Sequence, residues 1–108
     1  MSLEEQFNKS IEDWKEHCER TINSSNPGDY LNCDAYRNIV NMGPAILPLI
    51  RKEFDKNSLL NGLLVNPVKR IVGKDFQIPE WMAGKMSLIE KYTAKWLDEN
   101  MQEYLKQN

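Results

Sequence analysis

Histidine occurs once in this chain, at His17, and cysteine only twice, at Cys18 and Cys33. Metal sites built from nitrogen and sulfur take three or four such ligands at set spacings, and this chain has no C-x-x-C pair from which to start one. Adjacent helical residues project in different directions, so His17 and Cys18 do not by themselves make a nucleophile and its base. Two isolated thiols point to free cysteines in a reducing compartment, and the expected address is the cytoplasm. Glu4 and Glu5 interrupt the start of the chain where a secretory signal needs a basic and then apolar run. Glycine is sparse as well. The two Gly-Lys pairs, Gly73-Lys74 and Gly84-Lys85, lack the upstream glycine and the following hydroxyl of a phosphate loop.

Long apolar runs are missing too. The richest, Leu59 to Val65, is broken by Asn61 and Gly62 and falls far short of the roughly 20 residues that span a bilayer, which excludes a membrane segment there. No stretch alternates apolar and polar residues over the length of a strand. Neither sign of charge dominates, since 14 bases face 16 acids for a net −2, so overall charge gives no reason to expect a polyanionic partner. A chain of 108 residues is the size of one domain, 1–108.

What remains is helical periodicity. Leu3, Phe7, Ile11, Trp14, Cys18 and Ile22 recur every three or four residues opposite a charged face, and Ser2-Leu3-Glu4-Glu5 has the form of a capping box that starts this helix. Glu12, Asp13, Glu16 and Glu19 lie along its solvated side, where carboxylates do no acid–base work. The turn formers Asn23 to Asp29 end it. The centre of the chain is Tyr36 to Phe54. Tyr36, Ile39 and Val40 precede Gly43, and Ile46, Leu47, Ile50 and Phe54 follow it, all at helical spacing. Asn32 or Asp34 is placed to cap the first of these helices. Gly43 suits a left-handed helix end and Pro44 the first position of the next helix, so two apolar stripes should close on each other across one glycine. Pro48 predicts a bend early in that second helix.

Asp55 to Ser58 offers a stop and a new cap, and Leu59, Leu60, Leu63, Leu64, Val68, Ile71 and Val72 make the broadest apolar face of the chain. Pro67 inside that face removes a hydrogen bond to Leu63 and predicts a kink or a split. After Gly73, residues 75–79 should cross in extended form, because Pro79 holds Ile78 out of the helical region. Met82, Met86, Ile89, Tyr92, Trp96, Leu97, Met101, Tyr104 and Leu105 predict a long last helix, with Ser87 as a possible cap. The fold expected is all-α, about five helices in stacked antiparallel hairpins.

The run Ile39-Val40-Asn41-Met42-Gly43-Pro44-Ala45-Ile46-Leu47-Pro48-Leu49-Ile50 resembles the junction of a HEAT or armadillo type helical repeat. From about Ser24 to Leu97 the chain is also similar to a family of small, uncharacterised prokaryotic proteins. That similarity rests on Tyr36, Ile39-Val40, Met42-Gly43, Ile46 to Ile50, Ile71, Gly73, Asp75, Ile78-Pro79, Gly84 and Trp96, and this chain departs from it with Pro67 where an alanine is expected. The resemblance implies a fold and brings no catalytic residue.

No nucleophile, base, metal or cofactor set can be assembled, so the function expected is a non-catalytic module that binds a protein or a second copy of itself. Trp81, beside Pro79 and Glu80, is the candidate anchor, since exposed tryptophans often centre interfaces. Residues 51–74 carry six bases against two acids. Arg51, Lys52, Lys69, Arg70 and Lys74 therefore make the alternative candidate, a nucleic-acid-binding face, although no aromatic residues interleave with them to stack on bases.

Overall fold

The computed structural model describes residues 2–22, 26–56 and 60–106. Helix α1, Leu3–Arg20, begins as its sequence dictates: Ser2 Oγ accepts from the Glu5 N–H at 3.1 Å. The Glu5 carboxylate completes the cap by accepting from the Ser2 hydroxyl, where the backbone N–H of Ser2 was expected to donate. Phe7, Ile11, Trp14 and Cys18 enter the core, while Leu3 and Ile22 at the ends of the same stripe stay exposed. Asn23 to Ser25 of the turn that follows lie outside the described residues. Asn26 then opens a 3-10 turn, Pro27–Leu31, by accepting from the Gly28 N–H.

Helix α2, Asp34–Asn41, is capped by neither Asn32 nor Asp34. Cys33 occupies that position in extended conformation with no side-chain hydrogen bond. Gly43 has φ +75°, the left-handed conformation expected of it. Beyond Gly43 the chain differs from expectation. Gly43–Ile46 is a 3-10 turn and helix α3 spans Leu47–Asp55. The two prolines explain the delay. Pro48 has no N–H to offer the Pro44 carbonyl, so Leu47, one residue earlier, donates to it and tightens the turn. Pro48 then sits in the first turn of α3, where a missing donor costs least.

Pro67 acts by the same logic. The helix expected over 58–73 is shortened to α4, Val65–Val72, preceded by turns over 60–64. Asn57, Ser58 and Leu59, the expected cap and first apolar residue, lie outside the described residues. The Leu63 carbonyl, which Pro67 cannot serve, accepts instead from the Asn66 N–H at 3.0 Å and from Asn66 Nδ2 at 3.1 Å. Gly73, at φ +64° and ψ −132°, ends α4. A 3-10 turn over Gly73–Asp75 leads into the irregular segment 76–79, whose Phe76 is extended and buried. Helix α5, Met86–Lys106, starts one residue before Ser87, which therefore lies inside the helix and does not cap it.

All five helices converge on one core and no strand occurs among the described residues. The most extensive helix pairs are α1 with α2 and α3 with α5, and α4 packs on α2. The helices on either side of Gly43 do not close on each other as expected: α2 packs on α1 and α4 and α3 packs on α5, so the turn at Gly43 sends the second stripe to a different partner. The apolar residues of both stripes still enter the one core, among them Tyr36, Ile39, Ile46, Leu47 and Ile50. Trp14 lies at its centre, fully buried, with its ring 5.3 Å from that of Tyr36 and its Nε1–H donating to the Tyr30 carbonyl at 2.7 Å. No helix of the described residues is long and apolar enough to cross a membrane.

Candidate functional site

Pro79 leaves the extended crossing at ψ 140° and Glu80–Met82 makes one 3-10 turn. Gly84, at φ +79°, then redirects the chain into α5. Within that single turn Met82 is buried and Trp81 is 62% exposed. The neighbour anchors the turn in the core and so presents the indole to solvent. Lys85 Nζ stands 5.5 Å from the centroid of the indole ring, a cation–π contact that covers one face. Met86 and Leu88, at the start of α5, are exposed as well. The segment before this turn is held to α5 by rings: Phe76 lies 5.8 Å from Tyr92 and 5.2 Å from Trp96, and the Tyr92 hydroxyl donates to the Gln77 carbonyl at 2.7 Å. The Tyr104 hydroxyl, bonded to Asp75, fastens the far end of α5 to the same segment. Burial and that bond hold the phenol protonated, pushing its pKa up to about 12.

The basic residues do not form one row. Arg51 lies against α5, where Nε and Nη2 donate to the two carboxylate oxygens of Asp98 at 2.9 and 3.3 Å and Nη1 donates to Asp55 at 2.9 Å. Its charge is spent inside the protein, and these partners raise its pKa. Lys52 is exposed on α3. Lys69, Arg70 and Lys74 are exposed around the end of α4, and Arg70 lines a recess shared with Tyr36 of α2. Burial raises the Tyr36 pKa and Arg70 partly offsets the rise.

Two recesses escaped the sequence reading. A groove of about 510 Å³ runs between α1 and α2, lined by Gln6, Ser10 and Asp13 on one side and Asn38 and Asn41 on the other. A smaller recess of about 160 Å³ lies among Tyr36, Arg37, Val40, Asn41 and Arg70. The signal was present, since Arg37 and Asn41 are one helical turn apart on α2, but nothing in the sequence says that α4 brings Arg70 beside them. His17 is turned to structural use, with Nε2 2.7 Å from the Asp29 carbonyl. Cys18 and Cys33 are both free thiols. Burial, and then the neighbouring Cys33, push the Cys18 pKa up to about 11, which makes it a poor nucleophile.

Among protein-family models, curated proteins and solved structures, comparison finds no match to the chain.

Proposed function

We propose that this chain is a small, non-catalytic, HEAT-like helical module of the cytoplasm that binds another protein, with Trp81 as its anchor. The observation that carries this reading is the 62% exposure of Trp81 on a turn whose other apolar residue, Met82, is buried. A wholly buried aromatic side chain removes about 150–250 Å² from water, and the share of it that Trp81 still exposes is available only to a partner. Burial of Met82 and the backbone bonds from Met82 N–H to the Pro79 carbonyl and from Ala83 N–H to the Glu80 carbonyl fix the turn, so little backbone freedom is lost when the indole is covered. The two free thiols fit a reducing setting.

Affinity capture from source-cell extract with the wild-type chain and with Trp81→Ala, compared by quantitative mass spectrometry, tests it. A protein enriched by the wild-type chain and lost with the folded variant is the expected result. Identical captures by the two chains contradict the reading. Light scattering of both chains separates self-association, in which the wild-type mass doubles and the variant mass does not.

Nucleic-acid binding through the bases between 51 and 74 is the second reading, favoured only by Lys69, Arg70 and Lys74, which stand together at the end of α4. Arg51 adds nothing to it while Asp55 and Asp98 hold its guanidinium.

A further inference from the structure

The recess between α2 and α4 is built from hydrogen-bond donors around one apolar wall. Arg70 is exposed and lines the recess beside Tyr36. Tyr36 itself is 5% exposed, its ring 5.3 Å from that of Trp14, so this wall of the recess is fixed. Arg37 approaches from α2 with its own guanidinium held at 2.9 Å by Asp34 and at 3.5 Å by Asn32. Asn41, exposed one turn further along α2, adds an amide, and half-buried Val40 closes the wall between them. No carboxylate lines the recess. The other arginines are matched with carboxylates: Arg20 with Glu16, Arg37 with Asp34, Arg51 with Asp55 and Asp98. Among the described residues Arg70 is in no such pair.

We propose that this recess is a binding site for a single phosphate monoester, its phosphoryl oxygens taken by the Arg70 guanidinium and the Asn41 amide and its organic group laid on Val40. A planar guanidinium with two parallel N–H donors matches two oxygens of a phosphoryl group. Arg37, neutralised in part by Asp34, contributes field and no second full charge. The open recess of about 160 Å³ suits one such group and its first attached atoms, where a polynucleotide backbone needs a track of successive bases. The site is separate from Trp81 and does not depend on the protein-binding reading.

The test is a ¹H–¹⁵N NMR titration with inorganic phosphate and with phenyl phosphate, each read against chloride at the same ionic strength. Saturable shifts confined to residues around 36–41 and 70, with phenyl phosphate binding several-fold more tightly because Val40 receives the ring, are the expected result. Arg70→Gln should weaken both ligands at least tenfold, and Asn41→Ala severalfold, each variant keeping the wild-type circular dichroism. Absence of saturation up to about 20 mM, weaker than the range of specific small-ligand binding, overturns the proposal. So do shifts that Arg70→Gln leaves intact. Tight binding of a single-stranded oligonucleotide, weakened equally by substituting Lys69, Arg70 or Lys74, overturns it in favour of a nucleic-acid face.

Discussion

Arg51 on α3 and Asp98 on α5 are joined by two parallel hydrogen bonds, 2.9 and 3.3 Å long, across 47 positions of sequence. They lie on the most extensive contact of α3, that with α5, so this pair ties the two helices together at that contact. Partial exposure sets its worth at about 1 kcal/mol. A double-mutant cycle of Arg51→Ala and Asp98→Ala, by urea unfolding, should give a coupling of that size that falls with added salt. Arg51→Lys should recover less than half of it, because an ammonium cannot make the paired contact.

Trp14 fills the centre of the core and satisfies the Tyr30 carbonyl. Trp14→Ala should cost about 3–5 kcal/mol through the cavity it leaves. Trp14→Phe keeps most of the volume but leaves that carbonyl without its donor, for an expected loss of about 1–3 kcal/mol. Chemical denaturation of the two variants orders them.

Gly73 and Gly43 both have open space where a Cβ would stand, so alanine at either tests backbone conformation alone. Gly73 combines φ +64° with ψ −132°, well outside the left-handed helical well that other residues can enter. Gly73→Ala should therefore destabilise by about 1–3 kcal/mol. Gly43→Ala should cost about 1 kcal/mol, the ordinary penalty of a left-handed residue with a side chain. Equal costs, by thermal or urea unfolding, would contradict this assignment.

Alkaline pH should weaken the fold through two groups. The Cys18 thiol titrates near 9 when unfolded and near 11 when folded, and the Tyr104 phenol near 10 and near 12. In both the folded state favours the protonated form. The stability they confer is thus complete below their unfolded pKa values and is lost as pH rises from about 9 to about 12. Urea midpoints measured across this range should fall, with Cys18→Ala flattening the earlier part and Tyr104→Phe the later. In the native protein a thiol reagent at neutral pH should label Cys33 and spare Cys18.

The helical stripes were legible because each is a matter of local spacing: Phe7, Ile11, Trp14 and Cys18 enter the core as that spacing requires. Helix ends were less so. Pro44, Pro48 and Pro67 each removed a donor, and which neighbour would serve the abandoned carbonyl depended on competition between Leu47, Asn66 and water that spacing does not rank. The exposure of Trp81 was readable from Pro79 and Glu80 beside it. The grouping of Arg51, Lys52, Lys69, Arg70 and Lys74 was not, because proximity in sequence says nothing of the carboxylate on α5 that takes Arg51 or of the recess against α2 that Arg70 lines.

Trp81 is the residue on which the proposed function rests, and the direct measurement is the equilibrium affinity of the captured partner for the wild-type chain and for Trp81→Ala. An anchoring indole should be worth 2 kcal/mol or more, so binding should weaken roughly 30-fold or further with the fold unchanged. Affinities equal within about twofold, well under 1 kcal/mol, would show that the exposed indole anchors nothing.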